Sequence, residues 1–73
     1  MVAPQHNMTI EQVLNESLKM EKQAYDFYSK RAAGCSVDCV RELLTRLRDE
    51  ESKHITMIQK LLVRFESGKD VLS

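Results

Sequence analysis

The stretch Val40-Arg41-Glu42-Leu43-Leu44-Thr45-Arg46-Leu47-Arg48-Asp49-Glu50-Glu51-Ser52-Lys53-His54-Ile55-Thr56-Met57-Ile58-Gln59-Lys60-Leu61-Leu62-Val63-Arg64-Phe65 decides the fold. It contains no glycine and no proline. Val40, Leu44, Leu47, Glu51, His54, Ile58, Leu61 and Phe65 succeed one another in steps of four and three, the spacing of a helix packed in a bundle. Upstream, the same alternation picks out Leu14, Leu18, Glu21, Tyr25, Tyr28 and Ala32. A second stripe, Val13, Met20, Ala24 and Phe27, widens the apolar face of that segment.

The residues that punctuate helices fall at the ends of these two runs. Thr9-Ile10-Glu11-Gln12 reads as a capping box, with Met8 and Val13 at the staple positions around it. No glycine or proline interrupts Ile10 to Ala33, and Gly34 stands where a helix ends. Ser36 is placed to cap a second helix that runs to about Glu66, before Gly68. Asp26 with Lys30, Glu42 with Arg46, and Asp49 with Lys53 are acid-first pairs one turn apart, suited to an outer surface. The chain is thus expected to be a single domain over residues 1–73, with helices over about 10–33 and about 37–66. A connection of about two or three residues makes the helices antiparallel. Two helices cannot cover both broad apolar faces, so the expected fold is all-α: a two-helix hairpin that dimerises into a four-helix bundle.

Composition agrees and removes several functions. Eleven basic residues balance eleven acidic ones, which argues against a nucleic-acid partner. No run of lysine and arginine suits an anionic membrane surface, and no apolar stretch is long enough to span one. Two glycines and one proline leave little turn chemistry for a many-stranded sheet. The polar start, Met1 to Asn7, has no secretory apolar core, and two cysteines are too few for a disulfide scaffold. The chain is expected in the cytoplasm. With so short a sequence, oligomerisation or metal must supplement the core.

Glu21, Glu51 and His54 occupy seam positions that should be apolar. Burying an unpaired carboxylate is strongly unfavourable unless it is paired, protonated or bound to a cation. Glu51 and His54 are three residues apart, on one helix face. Glu21 precedes Gly34 by about 20 Å of helix and Glu51 follows Ser36 by about 22 Å, so the two glutamates meet at nearly one height in an antiparallel hairpin. A two-fold dimer would gather four carboxylates and two imidazoles, the ligand set of di-iron carboxylate bundles. Two divalent cations balance four carboxylates. Such mixed oxygen and nitrogen ligands favour iron, with manganese or zinc as substitutes. The alternative is that the polar seam residues only fix the register of the bundle through buried hydrogen bonds.

Met20-Glu21-Lys22-Gln23-Ala24-Tyr25-Asp26-Phe27-Tyr28, followed by Leu43 to His54, resembles the rubrerythrin-type branch of the ferritin-like superfamily. That branch carries Glu-x-x-Ala-x-x-Phe-Tyr on one helix and Glu-x-x-His on the next. The likeness covers about Ile10 to Glu66 but half the helices of an ordinary member, so the chain looks most like the half-ferritins called encapsulated ferritins. The resemblance implies a di-iron ferroxidase site at the interface of two hairpins, with two iron ions per dimer, and a homodimer or a ring of dimers. It implies Glu21, Glu51 and His54 as iron ligands and catalytic residues, with the Tyr28 hydroxyl beside the ligating carboxylates. It also implies residence inside an encapsulin shell, although Lys69-Asp70-Val71-Leu72-Ser73 shows no evident docking peptide.

Other residues read more plainly. Tyr25 suits core packing, and His6 reads as a solvated tail residue. Cys35 and Cys39 flank the connection, either as reduced loop thiols or as redox, metal-binding or subunit-linking groups. No rubredoxin-like pair of Cys-x-x-Cys motifs is present, unlike a complete rubrerythrin. The expected function is oxidation of Fe²⁺ by O₂ or peroxide for iron handling. A non-catalytic helical-hairpin interaction module and a peroxide-scavenging di-iron protein are the alternatives.

Overall fold

The computed structural model describes residues 8–66. Two helices make up nearly all of it: α1, Ile10–Ala33, and α2, Asp38–Glu66, and the described residues contain no strand. His6 and the segment Lys69–Ser73 lie outside the described residues.

α1 opens as its sequence dictates. The Thr9 hydroxyl accepts from the Gln12 N–H at 3.1 Å, and the Gln12 side chain accepts from the Thr9 N–H at 2.8 Å. Two N–H groups that a helix start leaves without partners are thereby satisfied. α1 closes at Gly34, whose N–H reaches the Lys30 carbonyl at 3.2 Å. Gly34 has φ −93°, so its freedom to adopt a left-handed backbone is not used.

The connection, Gly34 to Val37, is one or two residues longer than expected, because α2 begins at Asp38. The Arg41 N–H bonds the Val37 carbonyl at 2.9 Å, which puts Val37, and not Ser36, at the position entering α2. Arg41 braces the bend. Its guanidinium donates to the Cys35 carbonyl at 3.1 Å and to the Asp38 carboxylate at 2.6 Å. This contact across six residues draws the turn together in place of a serine cap.

The helices pack along one another as an antiparallel hairpin. Ala32 and Leu62 are its only buried apolar residues among those described, at 6% and 7% exposure. The expected seam holds at its centre and shifts at its ends. Leu44, Leu47, Glu51, His54, Ile58 and Phe65 face inward, but Leu62 replaces Leu61, and Val40 and Tyr25 are exposed. The reason is geometric. A straight helix turns about 100° per residue, so a strict four-three alternation drifts by about 20° per heptad. Leu62 lies eighteen residues, five whole turns, from Leu44, and so returns to the same face. Of the three outer ion pairs, Asp26–Lys30 forms at 3.1 Å. Lys53 turns to Glu50 and Asp49 to Arg48 instead, and Glu42 and Arg46 stay apart.

A large apolar surface remains open. Val13, Met20 and Phe27 on α1, and Leu43, Met57 and Leu61 on α2, are all exposed, Met20 by 62% and Met57 by 59%. On each helix these positions lie roughly 90° from the buried face, as the residue angle gives it. In an antiparallel pair, equal rotations in the same sense bring both stripes to one side of the hairpin. That side is unpartnered in the single chain.

Candidate metal centre

α1 delivers Glu21 and α2 delivers Glu51 and His54, and the hairpin brings all three together. One ligand atom from each lies within 4.8 Å of the others. His54 Nδ1 stands 3.5 Å from Glu21 Oε1 and 3.4 Å from Glu51 Oε1. The near-equal distances of Glu21 and Glu51 from the turn account for the meeting, and the Glu-x-x-His spacing puts the imidazole one turn along on the same face.

The electrostatics mark the group as incomplete. Glu51 Oε1 is cut off from solvent and has no hydrogen-bond partner. An oxygen so placed has lost its water without gaining a hydrogen bond, and its nearest cationic neighbour is His54 Nδ1 at 3.4 Å. The Glu51 carboxyl is pushed above its ordinary value of 4.5. The Glu21 carboxyl beside it is the main cause, since a protonated Glu51 can share a hydrogen bond with it; loss of water and the charge of Glu21 add to this, and His54 opposes. His54 is 43% exposed at its side chain, on the open side of the group. The donor set of two carboxylates and an imidazole fits a divalent cation, and the orphaned oxygen is the atom such a cation would satisfy.

Other candidates stand elsewhere. Tyr28 is half-buried and packs edge-on against Phe27, with ring centres 5.4 Å apart. Its hydroxyl joins none of the hydrogen bonds among the described residues, and it stands seven residues from Glu21, about 10 Å along the helix. Tyr25 is exposed, so it does not pack in the hairpin core. Cys35, half-buried, and Cys39, exposed, are free thiols, and the Cys35 thiol donates to the Val37 carbonyl at 3.6 Å. Neither belongs to the ligand group. No helix among the described residues is long and apolar enough to cross a membrane.

Sequence reasoning missed the position of Glu50. It precedes Glu51 and pairs with Lys53 at 3.3 Å. By helical rotation it falls on the open side beside His54, and only its i,i−4 spacing from that histidine could have signalled this.

A protein-family model described as EncFtn-like matches residues 4–70. Comparison with curated proteins and with solved structures gave no match.

Proposed function

The chain belongs to the EncFtn-like family, the encapsulated-ferritin-like members of the ferritin-like superfamily, and from that premise we propose that paired hairpins take up Fe²⁺ as substrate and oxidise it. The observation that supports this most is the convergence of Glu21, Glu51 and His54 around a carboxylate oxygen with no partner. A second copy seated on the open apolar face would set two such groups against each other, giving four carboxylates and two imidazoles for two iron ions. In that arrangement Glu21 and Glu51 hold the metals and His54 binds one iron at each end. Manganese or zinc could occupy the same ligands.

The protein's share of the chemistry is placement. It holds the two Fe²⁺ ions close enough to give up one electron each to a shared oxidant, O₂ or peroxide, and it keeps the surroundings apolar. With O₂, the two electrons and two protons taken up make hydrogen peroxide. Metal binding needs the deprotonated Glu51 carboxylate, so uptake competes with protons and strengthens as pH rises. Tyr28, two turns along α1, would bring its hydroxyl beside the ligating carboxylates gathered between the paired hairpins. A homodimer or ring of dimers, housed in the cytoplasm or within an encapsulin shell, completes the reading.

The test is direct. Protein given anaerobic Fe²⁺ and then air should develop ferric absorbance faster than buffer, and Glu51→Ala should abolish both iron binding and the rate. A rate equal to that of buffer, with the oligomer intact, would favour a non-catalytic interaction module. Comparing O₂ with peroxide on reduced protein separates ferroxidase from peroxide scavenger.

A further inference from the structure

We infer that the thioethers of Met20 and Met57 form a modification site: hydrogen peroxide converts both to sulfoxides, and a hairpin so modified no longer pairs with a second copy. This rests on the reading in which a second copy covers the open apolar face. It does not depend on whether the ligand group holds a metal.

Three observations carry it. First, both side chains are more than half exposed, so their sulfurs are open to a small oxidant in the single hairpin. Second, they lie well inside the open stripes. Met20 stands midway along that of α1, seven residues from Val13 and seven from Phe27, and Met57 stands one turn from Leu61 on α2. Each helix thus places one thioether within the surface that a partner would cover. Third, the companions cannot answer the same reagent. Val13, Phe27, Leu43 and Leu61 carry hydrocarbon side chains that peroxide leaves unchanged. Met8 borders Met20 in a shallow groove with Val13, Glu16 and Ser17, but it precedes α1 and lies at the end of the stripe.

The step balances. Each thioether sulfur takes one oxygen atom from one peroxide molecule: the O–O bond breaks, an S–O bond forms, sulfur gives up two electrons, and the peroxide is reduced to water. The product is a polar group whose oxygen accepts hydrogen bonds. On a single hairpin water satisfies that oxygen. Under an apolar partner face it has no donor, so each sulfoxide should weaken pairing by about tenfold or more. A two-fold pair would bury both positions of both chains. Pairing in turn shields the sulfurs, so peroxide acts on unpaired hairpins and keeps them unpaired.

The experiment uses the whole chain in chelator, treated with hydrogen peroxide and then with a thiol reductant, which restores oxidised cysteines short of the sulfinic state but leaves sulfoxides in place. Peptide mapping locates the added oxygen, and sedimentation gives the mass. Sulfoxide should form at Met20 and Met57 faster in dilute than in concentrated protein. The doubly oxidised chain should sediment as a monomer where the untreated chain pairs. The two methionine sulfoxide reductases, one for each sulfoxide epimer, should restore pairing. Met20→Leu/Met57→Leu keeps size and apolar character, so it should pair before and after the same treatment, although Met8 is still open to oxidation in it. Pairing that survives oxidation of both sulfurs, resistance of both sulfurs at every dilution, or equal loss of pairing in the leucine variant overturns the inference and leaves the paired-hairpin reading standing. Untreated wild-type protein that is monomeric at every concentration overturns that reading and the inference together.

Discussion

Glu51 is the residue on which the site's behaviour turns. In the metal-free protein its raised pKa means that the folded chain binds its proton more tightly than the unfolded chain does. The favourable contribution of the protonated form is full below the ordinary value of 4.5 and is lost as pH rises through the raised value. Thermal unfolding in chelator should therefore show a component of stability that falls as pH increases above about 4.5. Glu51→Gln, which cannot ionise, should lack that component. A divalent cation should reverse the trend in the wild type, because it needs the deprotonated carboxylate. The meeting of Glu21, Glu51 and His54 was legible in the sequence because polar residues in an apolar seam conflict with their surroundings. The role of Tyr28 was less legible: its helix face could be read, but its backbone lies two turns from Glu21, and where the hydroxyl reaches depends on the side-chain rotamer.

At the scale of the elements, local chemistry and long-range register differ in how readily they are read. The Thr9–Gln12 box depends on four consecutive residues and forms as the sequence says. Thr9→Ala should lower stability by about 1 kcal/mol in a denaturant titration. Gly34 marks the end of α1, yet its backbone angle is open to any residue and an added Cβ would meet only the Lys30 carbonyl oxygen at 3.7 Å. Gly34→Ala should accordingly be neutral or stabilising by about 0.4–1 kcal/mol, since alanine has less freedom to lose. The inward face of distal α2 was misread at Leu61 because the drift of a straight helix accumulates over several turns from the point where a seam is fixed. Leu62→Ala should cost about 2 kcal/mol or more, with helicity and unfolding midpoint as the measures. The same change at Leu61 should act mainly on association.

The described part of the molecule is two helices, and many of its large apolar side chains are exposed. Among the described residues only Ala32 and Leu62 are buried, while six large apolar side chains of α1 and α2 share an open side. Such a patch marks a surface suited to association. Met57→Glu or Leu61→Glu, both away from the ligand atoms, should shift sedimentation toward the monomer and lower the unfolding midpoint. An oligomer of unchanged mass in both variants would show that this face is not the contact. The hairpin itself could be read from the spacing of Gly34, Glu21 and Glu51. The side on which a partner sits could not, because rotation about each helix axis settles only once the buried face is known.

The ligand group draws one side chain from α1 and two from α2, at positions 21 and 51. An ion held there ties together two points about thirty residues apart, much as a covalent crosslink would, and a link closing a loop of that length restricts the unfolded chain by about 3–4 kcal/mol in the chain-entropy view. An ion bound there and the fold that holds it would then form one thermodynamic unit. A chain deprived of its ion should be cut readily by a protease near the middle of either helix, and one supplied with Zn²⁺ should resist, so the lifetime of the protein would follow the supply of the metal it carries.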